Sequence, residues 1–319
     1  MSANKLSKIV LIGTITSVAA AGSFALSLIV PTSVINHQLA IQTPENTSLK
    51  NPKHQHIANL GKVMSTSAQA VAPRTNVISD VPKLFQGTTI SQAKLKPTDK
   101  VVALTFDDGP GPKNTAQVLE ILKKNNIKAT FFMIGEMVQA FPKIAKQVAD
   151  DGHVIGNHTW HHWYRRMDTA TAAKEIDRTA DIIYKTTGEK TTLFRPPGGF
   201  LHNGLVDYAK NHHYAVMMWS GESGDAERRS PQVPGMVKNV IKSTKPGAII
   251  LMHDGGGNRS KTVKALPQMI ADLKAEGYRF VTIPELLQIQ DKEEHLATAP
   301  SPRVTPAVTD EHPNPQPNN

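Results

Sequence analysis

Cysteine is absent from the chain. Disulfides and thiolate metal sites are therefore both excluded, and any metal centre must be built from His, Asp or Glu. Thirteen His residues leave that open without arguing for it. No internal repeat is apparent, and sustained periodicity is missing from Thr32 to about Lys94, where Ser, Thr, Asn, Gln and Pro prevail. Such a composition reads as a polar stalk or linker over 32–93. Past Gln290 the chain runs through Pro300, Pro302, Pro306, Pro313, Pro315 and Pro317, which reads as a disordered, Pro-rich tail over 289–319. Acidic residues are the minority: 27 Asp and Glu face 36 Lys and Arg, a net charge of +9. That balance favours anionic surroundings. Nucleic acid, an anionic envelope polymer and a lipid headgroup surface all qualify, and charge alone does not choose between them.

One long apolar run is present. Lys5 and Lys8 precede an uncharged, mostly apolar segment from Ile9 to Pro31. A basic flank followed by a hydrophobic stretch is an export pattern. The run is closer to membrane-spanning length, about 20 residues, than to a short signal core. Residues 1–31 thus read as a signal anchor, or as a signal peptide if the small residues Ala19 to Ser23 admit cleavage. With the lysines kept inside, the body of the protein faces outward. The expected location is the cell membrane, single-pass with the body of the protein extracellular, or the medium after cleavage.

Between stalk and tail the pattern alternates regularly. Short apolar runs predict strands at Val101–Phe106, Ala129–Ile134, Val154–Asn157, Leu193–Arg195, Ala215–Ser220, Ala248–His253 and Arg279–Ile283. Helical patterns lie between them at Asn114–Lys124, Glu136–Asp150, Ala170–Thr186, Gly204–Asn211, Pro234–Ser243 and Lys261–Glu276. The spacing of Val118, Ile121 and Leu122, and of Leu266, Met269, Ile270 and Leu273, has the helical three-to-four period. Gly152, Gly188 and Gly277 stand where helix ends favour a left-handed residue. About seven such units imply an α/β fold with a parallel sheet, closed into a barrel or left open. In either case chemistry belongs at the carboxyl ends of the strands.

Four clusters fall at those ends. The first strand leads into Thr105-Phe106-Asp107-Asp108-Gly109-Pro110. Adjacent carboxylates after an apolar run are costly unless a cation or donor compensates them, although Asp-Gly-Pro is equally turn chemistry. The third strand leads into His158-Thr159-Trp160-His161-His162. One helical turn would set His158 and His162 on the same side, a spacing that suits one divalent ion; a surface His cluster is the alternative. His161 faces elsewhere. The fourth strand ends in Arg195-Pro196-Pro197-Gly198-Gly199, a fixed cation beside chain that a substrate could approach closely, or a plain structural loop. The sixth ends in Leu251-Met252-His253-Asp254-Gly255, where His253 is a candidate acid or base.

In this order, the Thr-Phe-Asp-Asp-Gly-Pro and His-Asp-Gly-Gly blocks resemble the polysaccharide deacetylases of carbohydrate esterase family 4, with the NodB homology domain. The resemblance covers about Lys94 to Leu287 and defines a domain over 94–288. It implies a distorted (β/α) barrel and hydrolytic, metal-dependent N-deacetylation of N-acetylated amino sugars in an extracellular polysaccharide, peptidoglycan N-acetylglucosamine first among them. Residue by residue, it implies Asp107 as general base, His253 as general acid, Arg195 as the residue holding the base and Asp225 as the one orienting His253. Asp108, His158 and His162 match its ligands to one divalent ion, zinc or cobalt. Gly198, Leu251 and Trp219 fall in its substrate site, with Gly198 contributing a backbone N–H and Leu251 receiving the acetyl methyl. Two departures stand out. Gly198 replaces a Tyr, which shrinks a groove wall, and Ala226 replaces a Trp. The implied partners are an envelope glycan and, through residues 1–31, the membrane, with no nucleic acid. The same residues would serve a chitin or exopolysaccharide deacetylase or an O-acetyl xylan-type esterase. A wall-binding protein with a degenerate site is a further alternative. A non-haem iron oxygenase also uses two His and a carboxylate, but the acid–base pair argues against it.

Overall fold

The computed structural model describes residues 80–298. The membrane segment expected over 1–31, most of the expected stalk and the Pro-rich end all lie outside these residues. Among the described residues no helix is long and apolar enough to cross a membrane.

Nine parallel strands form one curled sheet, a partly closed barrel. In chain order they are β1 (Thr89–Ile90), β2 (Val101–Asp107), β3 (Thr130–Met133), β4 (Val154–Asn157), β5 (Leu193–Phe194), β6 (Ala215–Met217), β7 (Gly221–Glu222), β8 (Ala248–His253) and β9 (Arg279–Phe280). The spatial order is β1-β6-β5-β4-β3-β2-β8-β7, with β9 pairing the start of β2. The path is open between β1 and β7. Two contacts draw its ends together: an isolated bridge from Gln92 to Ala248, and a bond from Ala93 N to Gly247 O. This is the distorted (β/α) barrel that the resemblance implies, and it settles the closed-or-open choice that the strand count leaves. The two-residue strands β1 and β7 are additions, being too short to show an alternation.

The helices are α1 (Asn114–Lys124), α2 (Gly135–Ala140), α3 (Pro142–Asp150), α4 (Thr169–Thr187), α5 (Leu205–Asn211), α6 (Val233–Ser243), α7 (Ser260–Ala275) and α8 (Ile283–Thr298). The single helix expected over 136–150 is broken in two. Pro142 cannot donate to the preceding turn, so it ends one helix and opens the next. Asp168 caps α4 by accepting from Thr171 N, and Gly188 closes it at φ 80°. Gly152 and Gly277 are likewise left-handed, as their places in the sequence predict. In α7, Thr262, Ala265, Leu266, Met269, Ile270 and Leu273 form one buried stripe. Each large apolar side chain there contributes about 1.5–3 kcal/mol of transfer free energy.

Among the described residues, packed structure is present on both sides of 94–288. Val81, Phe85, Ile90 and Ala93 join the core upstream, and α8 runs to Thr298 with Ile283, Leu286 and Leu287 buried.

Alternation along the strands positions the site. In β2, Val102, Leu104 and Phe106 pack toward the helices, while Val101 and Ala103 join a second, interior core. Thr105 and Asp107 continue that interior row. In β8, Ala248, Ile250 and Met252 face the helices and Ile249 faces in, so Leu251 and His253 follow it. Register then sets Asp107 beside His253 on neighbouring strands. Gly156 of β4 lies against Phe132 of β3, and an added Cβ would stand 2.4 Å from its ring. Replacing Gly156 with Ala should therefore cost about 2 kcal/mol by overpacking, seen as a lower midpoint of thermal or urea unfolding. An unchanged midpoint would show that Phe132 can give way.

Candidate active site

Arg195 follows β5 and is wholly buried, with 0% of its surface exposed. Its Nη1 donates to Asp107 Oδ1 and to Thr105 Oγ1, each at 2.8 Å. Its Nε and Nη2 donate to the carbonyls of Met217 and Met218. The guanidinium packs over the Phe132 ring at 4.1 Å. Burial lowers the Arg195 pKa from its usual value, against which Asp107 acts in the opposite sense. Asp107 Oδ1 is thus engaged, and Oδ2 is left toward His158, 3.7 Å from its Nε2.

Asp108, His158 and His162 converge next to this pair. His162 Nε2 lies 3.2 Å from Asp108 Oδ1 and 3.2 Å from His158 Nε2, and His158 Nε2 lies 3.5 Å from Asp108 Oδ1. His158 Nδ1 stands 2.7 Å from the Arg195 carbonyl, which can only accept, so Nδ1 carries a proton and Nε2 is the nitrogen turned to the site, able to offer a lone pair to a metal. Burial and the neighbouring His158 push His162 down to about 4, so it is neutral near pH 7. Asp108 Oδ1 is buried and lacks a hydrogen-bond donor. Three electron-rich atoms at these separations repel one another unless a cation sits among them. Donors about 2.0–2.1 Å from a common ion in tetrahedral array stand about this far apart. The residues fit a divalent metal.

The loop reaches this shape without the helical turn that the four-residue spacing suggests. Residues 158–162 are irregular, with Thr159 at φ 68° and His162 at φ 59°. Asp108 is left-handed as well, at φ 72°. Glu175 of α4, itself buried, accepts from the backbone N–H groups of Trp160 and His161 and pairs with His161 Nδ1 at 2.5 Å. His161 therefore points away from the ligand atoms, as its position predicts. Glu175 was missed in the sequence. Its signal was a carboxylate on the buried stripe of α4, between Ala172 and Ile176.

His253 and Asp225 form the other side. Asp225 Oδ1 lies 2.8 Å from His253 Nδ1, and its Oδ2 accepts from His253 N and Thr262 Oγ1, each at 2.8 Å. Burial disfavours a charged imidazole, but Asp225, with Asp107 and Asp108 beyond it, more than offsets this and raises the His253 pKa. Arg259 staples the surrounding loops: its guanidinium donates to the carbonyls of Gly255, Asp225 and Gly256 and stands 3.9 Å from Asp108 Oδ2. Asp254 is buried beside them, with Oδ2 2.5 Å from Thr115 Oγ1. Burial and the nearby Asp108 and Asp107 carboxylates push it up to about 7. Arg259 and Thr262 carried no sequence signal beyond following the Gly-rich block, and Asp254, though part of the His-Asp-Gly-Gly block, carried none for a role of its own.

Asp107, Asp108, His158, His162, Asp225 and His253 all line one cavity of about 510 Å³, with Gly198, Trp219 and Leu251 among the other walls. Arg195 supports it from behind. Residues 94–217 match the polysaccharide deacetylase family. A Bacillus cereus peptidoglycan-N-acetylglucosamine deacetylase is 41% identical over 190 residues, 60% of this chain and 89% of that protein. The chain belongs to the polysaccharide deacetylase family. It is an enzyme of that family, a polysaccharide N-deacetylase. A solved peptidoglycan N-acetylglucosamine deacetylase, Bc1960, aligns with a TM-score of 0.59 and 34% identity over 64% of this chain and 94% of its own. A Bacillus anthracis protein described as a CE4 family pseudoenzyme aligns nearly as well, with a TM-score of 0.57 and 32% identity over 63% of this chain and 69% of its own. Backbone likeness alone therefore does not separate active from inactive members, and the side chains of this deacetylase decide it.

If Asp108, His158 and His162 hold one ion, His162→Ala should leave a folded protein that no longer retains stoichiometric zinc after dialysis, while the wild type keeps one per chain. Zinc retained at one per chain in the variant would remove His162 from the ligand set.

Proposed function

We propose that this deacetylase hydrolyses the acetamide of N-acetylglucosamine residues in extracellular peptidoglycan, with one zinc ion held by Asp108, His158 and His162. The observation that carries the reading is the meeting of three groups in one cavity: the three ligand atoms, the Asp107–Arg195 pair and the His253–Asp225 pair. The names of the Bacillus cereus relative and of Bc1960 support the choice of glycan. The Lys5–Lys8 flank and the Ile9–Pro31 run support an extracellular, membrane-held placement.

A divalent ion held by Asp108, His158 and His162 would polarise the acetyl carbonyl and make a water more acidic. As a water oxygen bonds to the acetyl carbonyl carbon, Asp107 accepts its proton at Oδ2, because Arg195 already occupies Oδ1. The Gly198 N–H stabilises the charge that develops on the carbonyl oxygen. The turn's own hydrogen bonds run from Gly199 N and Phe200 N, so neither uses it. His253, with Nδ1 bound to Asp225, delivers a proton from Nε2 to the sugar nitrogen as the C–N bond breaks. Acetate and a free amine result. Leu251 and Trp219 form apolar wall beside the acetyl methyl.

Acetate release from purified peptidoglycan and from chitin oligosaccharides, with and without chelator, tests this directly. Peptidoglycan should yield acetate, chelation should abolish it and zinc should restore it. Zinc-loaded protein that releases none from peptidoglycan would sink the proposal.

The pH profile follows from His253. Its donor form is the imidazolium, so activity falls as pH rises through its pKa, which Asp225 holds up. Asp225→Asn keeps the shape and removes the charge. The alkaline limb should move to lower pH by about one unit or more, while the acid limb stays in place. An unmoved alkaline limb in protein loaded with the same metal would mean that His253 is not the donor.

A further inference from the structure

The turn at Pro197–Gly199 is pressed from two sides by aromatic rings. A Cβ on Gly198 would lie 2.7 Å from Tyr164 Cε1 and 3.0 Å from Phe200 Cε2. One on Gly199 would lie 2.9 Å from Trp219 Cη2. The groove wall expected to shrink at Gly198 is therefore rebuilt from elsewhere: the missing side chain leaves room for Tyr164 and Phe200 to close over the backbone. Their centroids are 5.7 Å apart, edge to face at 76°. Tyr164 also stands 5.1 Å from the His162 ring, which ties it to the ligand loop.

Both rings are exposed, Tyr164 by 57% and Phe200 by 50%. Among the described residues five large hydrophobic side chains are exposed, and two of them meet here. A lone exposed aromatic residue is ordinary. A touching pair at the mouth of a polar cavity, one member lining that cavity, marks a binding surface.

We propose that Tyr164 and Phe200 form a subsite for a pyranose ring, the sugar next in the chain to the one whose acetyl group is removed. The proposal rests on the glycan-deacetylase reading above and extends it to a second sugar. A polymer bound in the cavity must leave it across the rim. One face of a pyranose carries C–H groups that pack on the electron-rich face of an aromatic ring, while its hydroxyls remain in water. Rings held half out of solvent by their neighbours offer such a face with little ordering cost. The contact with His162 sets the stacked sugar at a fixed distance from the ligand loop.

Titration calorimetry with chitopentaose tests the subsite on full-length, zinc-loaded protein carrying Asp107→Asn to stop turnover. Adding Tyr164→Ala or Phe200→Ala should weaken binding about tenfold. Tyr164→Phe should bind as the parent does, and so should Tyr184→Ala, which removes an exposed ring from α4 outside the site. In proteins that retain Asp107, the loss should appear in KM for chitopentaose with kcat nearly kept. An unchanged Kd in both alanine variants overturns the proposal, as does a loss confined to kcat. Absence of acetate release by the wild type would instead strike the hydrolytic reading, leaving calorimetry to decide the subsite.

Discussion

A guanidinium sealed inside a protein must find partners for its donors, and Arg195 organises the top of this barrel through the four hydrogen bonds it makes. Its bonds reach Thr105 and Asp107 on β2 and the carbonyls of Met217 and Met218 at the end of β6. Losing one partner of such a buried pair typically costs about 3–5 kcal/mol, because a charge is stranded. The neighbours conform to this demand. Phe132 supplies a flat face for the guanidinium, and Gly156 has no Cβ because Phe132 occupies that space. The Arg195 carbonyl meanwhile takes the proton of His158 Nδ1. One residue therefore fixes which oxygen of Asp107 is left over and which nitrogen of His158 is turned to the site.

The rest of the site is a balance of charge around that centre. Asp107, Asp108 and Asp254 crowd one end of the barrel, and burial, joined by repulsion from the other two carboxylates, raises the pKa of Asp254. Arg195 relieves Asp107 from behind, while Arg259 approaches Asp108 only to 3.9 Å and commits its donors to backbone carbonyls. Asp108 Oδ1 still lacks a donor, and a cation among the three ligand atoms would balance its charge. Backbone strain gathers at the same place. Of the five non-glycine residues with positive φ among the described residues, Asp108, Thr159 and His162 belong to it. Strain of this kind persists where surrounding contacts over-determine it, and Glu175, gripping two successive N–H groups, is such a contact.

Much of this was legible in the linear chain, for reasons particular to each element. The buried strands β2, β3, β4 and β8 are continuous apolar runs, and α1 and α7 repeat their apolar residues every three to four positions. The motif residues end those strands, so rim placement followed from fold class. β1 and β7 were illegible because Thr89–Ile90 and Gly221–Glu222 hold one large apolar side chain between them, too few to make a run. The loop bearing His158 and His162 was misread as a helical turn, since a four-residue spacing is also satisfied by a strained loop.

The sequence by itself determined the chemistry available: no thiolates, a pair of adjacent carboxylates, two histidines four apart, and an arginine and a histidine at strand ends. Those are properties of residue type and local order. Only the tertiary structure decided which atoms meet, because contacts across the barrel join residues far apart in the chain. Arg195 touching Asp107, Glu175 holding the ligand loop, Arg259 stapling two loops and Tyr164 occupying the space above Gly198 are all of this kind. Each depends on how the sheet curls and on which side chain fills the space another leaves, and neither is encoded in any short stretch of sequence.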